Sequence, residues 1–305
     1  MRSQRRLVSP NNIVTESSFI MRVKTDNAGT SSTNQYTIPT SGTGYNYNVL
    51  TSDGQNILGV TGNLTITFPA IGSYDIEITG GFPKIYTYNA GDKLKITQVK
   101  QWGNNPWTSF DSGFYGCANM IVTATDSPNL SVCTTLRWMF RNCTAYTGGD
   151  LTGWDVSNIT SLEGAFLFCP NFNANVSNWD TSNVSDNDDF LNLFRGTKFN
   201  GDISNWNVTN VINMSEFARL TSTFVSDISN WNVINLTSGL NAFNGSLSVS
   251  YAHLDAIYNN WSQLTLKPNV TIHFGSAKYT SAGQAGRDIL TSSPNNWIIT
   301  DGGLN

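Results

Sequence analysis

Two histidines, four cysteines and a few acidic pairs are the side chains whose type and spacing could support catalysis or metal binding in this 305-residue chain. His253 and His273 stand apart from any Cys or Asp cluster, so neither a transition-metal site nor a Ser/His/Asp arrangement has its material. Phosphate-cradling glycine patterns are absent. Glu163, Asp188, Asp189 and Glu216 could serve as acid and nucleophile on a glycosidic bond, as paired carboxylates do. Glu163 and Glu216, however, fall at comparable places just before a repeated phenylalanine, where polar filler is expected. Cys117, Cys143 and Cys169 share one repeat position, and Cys133 stands where another repeat has isoleucine. Neighbouring rungs at strand spacing are close enough for a disulfide, but three in a row leave one over. They read as small buried thiols of a protein folded in a reducing compartment. No catalytic residue, metal or cofactor is expected, and the chain is not expected to be an enzyme.

The elements that position these residues are repeats. LTGWDVSNIT, VSNWDTSNVS, ISNWNVTNVI and ISNWNVINLT place Trp154, Trp179, Trp206 and Trp231 at spacings of 25, 27 and 25 residues. That is the period of a stacked-coil architecture. A second register, Phe-x-x-Cys, begins at Phe114, Phe140 and Phe166, and Phe194, Phe217 and Phe243 continue it without the cysteine. About five coils are expected between Trp102 and Ser248, the first degenerate because one of its sides faces no neighbour. Each tryptophan carries an Asx four residues before it, an Asx one residue after it and an asparagine at +4: Asn158, Asn183, Asn210 and Asn235. In a stack every such position becomes a ladder. The tryptophans are expected to be core rungs and not an exposed sugar-stacking stripe. With the +4 asparagines, seven of these twelve residues are uncharged amides, which favours turn formation over calcium binding. The longer excursion Asp186-Asn187-Asp188-Asp189 is the candidate binding segment, because insertions in repeat proteins gather on the binding face.

The flanks complete a mainly β fold. Residues 1–12 form a basic, polar tail. Residues 13–101 show short alternating strands expected to build a small β-sandwich, with Leu64–Phe68 and Tyr74–Thr79 read as a hairpin. Residues 102–248 are the solenoid, and 249–305 an α/β cap with helices at Tyr251–Trp261 and Ser281–Thr291. Lys plus Arg number 17 against 21 Asp plus Glu, and 12% of residues are charged, so no basic field for nucleic acid exists. No apolar run is long enough for a membrane span, and the start lacks the apolar core of a secretory leader.

The repeats, with F-x-x-C and N-W-D-[VT]-S-N-[VI], resemble those of the BspA-like leucine-rich-repeat surface proteins, which bacteriophages also encode. GSYDIEITGGFPKIY and QVKQWG are similar to the PKD-like (Ig-like) lead-in of such chains, and AKYTSAGQAGRDIL and NNWIITDGG to their C-terminal cap. The resemblance covers about residues 60–305 and implies a leucine-rich-repeat-like solenoid acting in adhesion, with no catalytic residues. The departure from the family is the missing leader. The expectation is therefore a phage virion structural component (decoration, spike or fibre). It would attach to other capsid or tail proteins through its N-terminal region and bind a host-surface glycan or protein. A bacterial cell-surface or extracellular adhesion module is the first alternative, a phage spike glycan depolymerase the second. A homo-oligomer is compatible with the sequence, but no heptad repeat specifies one.

Overall fold

The computed structural model describes residues 6–9, 12–14, 18–246 and 250–305. Much of the 1–12 tail, the expected attachment segment, lies outside the described residues, as does Ser248. The described chain is mainly β. A short antiparallel ribbon, β1 (Arg6–Ser9) with β2 (Asn12–Val14), precedes a six-stranded sheet. That sheet contains β3 (Phe19–Lys24), β5 (Asn46–Thr51), β6 (Asn56–Val60), β8 (Ser73–Gly81), β9 (Ile96–Gln101) and β10 (Ile121–Val122) in the order β10-β9-β3-β8-β5-β6; β4 (Gln35–Ile38) and β7 (Leu64–Thr67) pair separately. Alternation turns Phe19, Met21, Val23, Val49, Ile76 and Ile78 to one face. Tyr36, Ile38, Ile66 and Phe68 of the small pair join the same core, and the Tyr36 hydroxyl donates to the Met21 sulfur at 3.8 Å.

Leu64–Phe68 and Tyr74–Thr79 are not a hairpin: β7 pairs β4 while β8 lies between β3 and β5, in the other sheet. Alternation finds strands but carries no information on partners. β4 and β6 escape it because QYTI and NILGV are short and interrupted by polar residues or glycine.

Beyond residue 102 the chain advances by pairs of consecutive turns. N–H to carbonyl bonds close Leu136–Met139 and Phe140–Cys143, and the same pair recurs from 110/114, 162/166, 190/194, 214/218 and 239/243. These make six double turns among the described residues, against the five coils expected. The third residue of each turn is left-handed, for example Trp138 (φ 53°), Asn142 (60°), Gly164 (52°) and Phe168 (56°), which is type II geometry. Coils are tied in parallel by Phe114, Phe140, Phe166 and Phe194, whose N–H groups donate to the carbonyls of Met139, Ala165, Leu193 and Phe217 at 2.8–3.2 Å. The Phe rings stack in register: Phe114 on Phe140 (5.8 Å, 9°), Phe140 on Phe166 (6.1 Å, 13°), Phe166 on Phe194 (5.9 Å, 3°).

Phe217 breaks that register. The residue that donates to the next coil, through Ala242, is Ala218, and Phe217 sits one place earlier, edge-on to Phe194 at 80°. The chain is no shorter here, since Ala218 follows Trp206 by 12 residues as Phe166 follows Trp154; the phenylalanine itself stands one position earlier and enters the core from there. Phe243 resumes the ladder by stacking on Phe274 of the C-terminal segment (5.7 Å, 3°). There β11 (Ser238–Gly239), β12 (Thr271–His273) and β13 (Ile298–Thr300) run parallel, extending the stack by two further rungs.

Two helices flank this end. α1 (Tyr251–Trp261) buries Leu254, Ile257, Tyr258 and Trp261, the helical stripe read in the sequence. α2 (Ser281–Thr291) is capped by Thr280, whose hydroxyl accepts from the Ala282 N–H. A Cβ at Gly286 would fall 2.5 Å from the Tyr258 carbonyl oxygen, so this helix-interior glycine exists to let the helices touch.

Candidate functional site

The repeated residues point inward. Trp154, Trp179, Trp206 and Trp231 are 2–4% exposed, with Trp179 parallel to both Trp154 (6.5 Å, 19°) and Trp206 (6.3 Å, 4°). The indole N–H of Trp179 donates to Leu151, that of Trp206 to Val176 and that of Trp231 to Ile203, each a carbonyl of the preceding coil, at 3.0–3.2 Å. The amides of Asn158, Asn183, Asn210 and Asn235 donate to the carbonyls of Ser131, Ser157, Ser182 and Thr209 in the preceding coil. The asparagine ladder is thus amide to backbone. Asp150, Asn175, Asp202 and Asp227 each accept the N–H two residues on, as do Asp155, Asp180 and Asn207 after the tryptophan, which is how Asx residues turn corners.

The thiols have a structural task of their own. Cys143 and Cys169 donate to the Phe114 and Phe140 carbonyls of the coil before, and Cys117 faces the Thr87 hydroxyl at 3.9 Å. Thr221 and Ser246 do the same on later rungs, so the rung requires a small donor. All four cysteines are free and buried, and burial pushes Cys117 and Cys169 up to about 12, which leaves no thiolate for chemistry at neutral pH.

The insertion at 186–189 divides in two. Asp186, Asn187 and Asp188 are exposed, and they are the three residues by which this coil exceeds the others at that corner. Asp189 is 0% exposed; its carboxylate turns inward to accept the Ile212 and Asn213 N–H groups at 2.9 and 3.3 Å. It occupies the corner held elsewhere by Thr135, Ser161, Asn213 and Ser238, so it is a turn residue and not part of an outer binding segment. Burial pushes it up to about 6 against the opposing backbone hydrogen bonds. A folded pKa above the unfolded value means that this group favours the fold at low pH and opposes it as pH rises from about 4 to 6. Asp189→Asn is therefore expected to shift in the variant's favour by about 2 kcal/mol between pH 4 and pH 8, relative to wild type, in chemical denaturation. A pH-independent difference would contradict the assignment.

The acid candidates are occupied. Glu163 and Glu216 are not on one rung: Trp138 donates to the Glu163 carbonyl, whereas Glu216 itself donates to Leu240, which places them one position apart. Glu163 pairs with Arg137 and accepts the Trp138 indole N–H at 3.0 Å. Glu216 bridges Arg195 and Arg219. Asp188 takes a 3.4 Å contact from the Asn213 amide. His273 accepts the Gly275 N–H through Nδ1. Among the described residues no group of three His, Cys, Asp or Glu could hold a metal.

What the sequence did not reveal is a continuous outer ribbon made by the turn residues. Tyr86 stacks on Tyr88 (5.4 Å, 9°), Tyr88 meets Tyr115 edge-on, and Tyr115 meets Trp138. Arg137 lies 3.8 Å over the Trp138 ring, and Arg141 is shared between Tyr115 (4.8 Å) and Trp138 (5.0 Å). Further along, Arg195 lies over Phe168 at 5.1 Å. Four of the five basic residues between 102 and 246 are on this ribbon, Lys198 being the fifth. Burial opposes the Arg137 charge, but Glu163, with Asp111 and Asp188 farther off, raises its pKa.

The ribbon is also strained. Left-handed rungs elsewhere are mostly glycine or asparagine, yet Trp138, Phe168 and Leu220 adopt φ of 53–61°, conformations costing bulky residues about 1–2 kcal/mol. Phe168 and Leu220 are 38% and 54% exposed. Each lies over a glycine of the next coil, where a Cβ at Gly196 or Gly245 would be 2.8 or 3.0 Å away. A concavity of about 320 Å³, between Trp231, Asn232, Trp261 and Leu264, is lined by no ionisable group.

No curated protein and no solved structure matches the chain. Residues 134–256, which contain most of the double turns and most of the ribbon, match the family model described as Mycoplasma protein of unknown function, DUF285. That family is associated with BspA-like surface proteins.

Proposed function

We propose that this chain is a non-enzymatic surface recognition protein. In this reading a β-sandwich leads into a leucine-rich-repeat-like solenoid closed by an α/β cap, and the outer ribbon is what it presents to a host-surface glycan or protein. The observation that carries the reading is the retention of bulky residues in left-handed positions, the half-buried Trp138 and the exposed Phe168 and Leu220. Strain at an exposed rung that glycine would relieve is kept where the side chain has an external task. The engaged carboxylates support binding over turnover.

Double substitution Phe168→Asn with Leu220→Asn supplies the residue that Asn142 shows to be suitable on that rung. The variant is expected to be at least as stable as wild type in thermal unfolding and to lose most of its binding to intact host cells, read by flow cytometry of the labelled chain. Unchanged binding would remove the ribbon from the account.

A phage virion is the proposed site of display, with capsid or tail proteins as neighbours; four free, buried thiols support folding in a reducing cytoplasm. The family match favours a second reading, a bacterial cell-surface adhesion module. Immunogold labelling of a producing culture separates them: gold on released particles supports the virion, gold on the producing cell's envelope the adhesion module.

A further inference from the structure

The hydrogen-bonded register places Arg141, Arg195 and Arg219 on one column, each directly after the rung residue Phe140, Phe194 or Ala218. All three leave their Nε buried without a hydrogen-bond partner. Their neutralisation differs. Arg195 and Arg219 share the single Glu216 carboxylate, leaving one net positive charge. Arg141 has no carboxylate partner among the described residues and rests on the rings of Tyr115 and Trp138. Two centres of excess positive charge therefore stand two rungs apart, about 10 Å at the spacing of hydrogen-bonded strands. The exposed Phe168 ring stands in the interval, in a chain whose net charge is −4.

The geometry points to a linear acidic glycan as the ligand of the ribbon, one bearing a carboxylate on every second sugar ring. This rests on the recognition reading and adds the ligand's chemistry. A planar guanidinium held against a ring is pre-set to pair with a carboxylate through two parallel N–H bonds, and the flanking aromatic groups offer apolar surface to the C–H faces of the sugars. A carboxylate on alternate rings repeats over a distance comparable to the interval between the two centres. A phosphate backbone, charged at every unit, would call for a denser cation row than this acidic protein offers.

The test is titration calorimetry of the full chain with a hyaluronan decasaccharide, with the same oligosaccharide reduced at its carboxyl groups, and with a poly-glutamate peptide. Hyaluronan is expected to bind, Arg141→Gln and Arg195→Gln each to weaken it about tenfold, and Arg141→Lys to recover part of the loss. Lys198→Gln, off the ribbon, is expected to change nothing, and circular dichroism checks that each variant is folded. Absence of hyaluronan binding, equal binding of the reduced oligosaccharide, tighter binding of poly-glutamate, or indifference to both arginine changes would each overturn the inference. If the chain still binds host cells through Phe168 and Leu220 while hyaluronan fails to bind or compete, recognition stands and the acidic glycan falls.

Discussion

Replacing Lys95 by methionine is expected to cost about 4 kcal/mol of folding stability, although the side chain is not part of the ribbon. Lys95 is 1% exposed, and its ammonium donates to the Ser31 carbonyl (3.1 Å), the Ser31 hydroxyl (2.8 Å), the Ser32 carbonyl (2.8 Å) and the Gln35 carbonyl (2.9 Å). It acts as a cation built into the chain, tying the loop before β4 to the short 3-10 turn that precedes β9. Methionine fills the stem volume but leaves buried carbonyls unpaired, at about 1–3 kcal/mol each. Asp92 adds a pH signature. Burial works against its charge, but the Ser31 hydroxyl, the Ser31 and Thr37 N–H groups and Lys95 outweigh this and hold its pKa below the ordinary value. A depressed carboxylate pKa stabilises the fold above the unfolded value, and that stability is lost as pH falls through the folded one. With Lys95 gone part of the depression goes too, so the deficit should be larger at pH 7 than at pH 3 in urea denaturation. A loss under about 1 kcal/mol would mean that water replaces the ammonium.

Trp206→Ala is expected to cost about 3–5 kcal/mol, as for other buried aromatic groups cut to alanine. Its ring lies parallel to Trp179 and contacts Phe190 and Phe194 at 5.6 and 6.0 Å. The gentler change to phenylalanine isolates the hydrogen bond. Trp206→Phe leaves the Val176 carbonyl without its indole donor, whereas the Trp154 indole N–H has no acceptor to lose. Trp206→Phe should therefore destabilise by about 1–2 kcal/mol more than Trp154→Phe. Equal costs would show that the indole-to-carbonyl ladder adds nothing to packing. In a stack held mainly by nearest-neighbour contacts, damage at Trp206 should also be felt most by the coils on either side.

The inward half of the repeat region was legible in the sequence and the outward half was not. Tryptophan, asparagine and cysteine recur because each answers a fixed neighbour one coil away: a Leu151-type carbonyl, a Ser157-type carbonyl, a Phe114-type carbonyl. Identical demands select identical residues, and that periodicity is what can be read. The ribbon has no such demand. Its left-handed rungs accept Gly164, Asn192 and Asn241 as readily as Trp138, so Trp138, Arg141 and Phe168 look like noise between conserved spacings. Phe217 shows the limit of spacing alone, since a ring displaced by one residue leaves the rung to Ala218 with no trace in composition. Asp189 shows another: four polar residues in a row gave no sign that the last turns inward. The strand partners of β7 and β8 were equally hidden, because pairing is decided by which sheet face needs covering.

Hydroxyl-radical footprinting of the free and cell-bound protein, read by mass spectrometry at each aromatic side chain, tests the division between inward ladder and outward ribbon most directly. In the free chain Tyr88, Tyr115, Trp138 and Phe168 should be oxidised while Trp154, Trp179, Trp206 and Trp231 stay protected, and binding to host cells should protect the first set. Oxidation of the four ladder tryptophans at the rate of Trp138, or protection by the cell surface confined to some other face, would contradict the account.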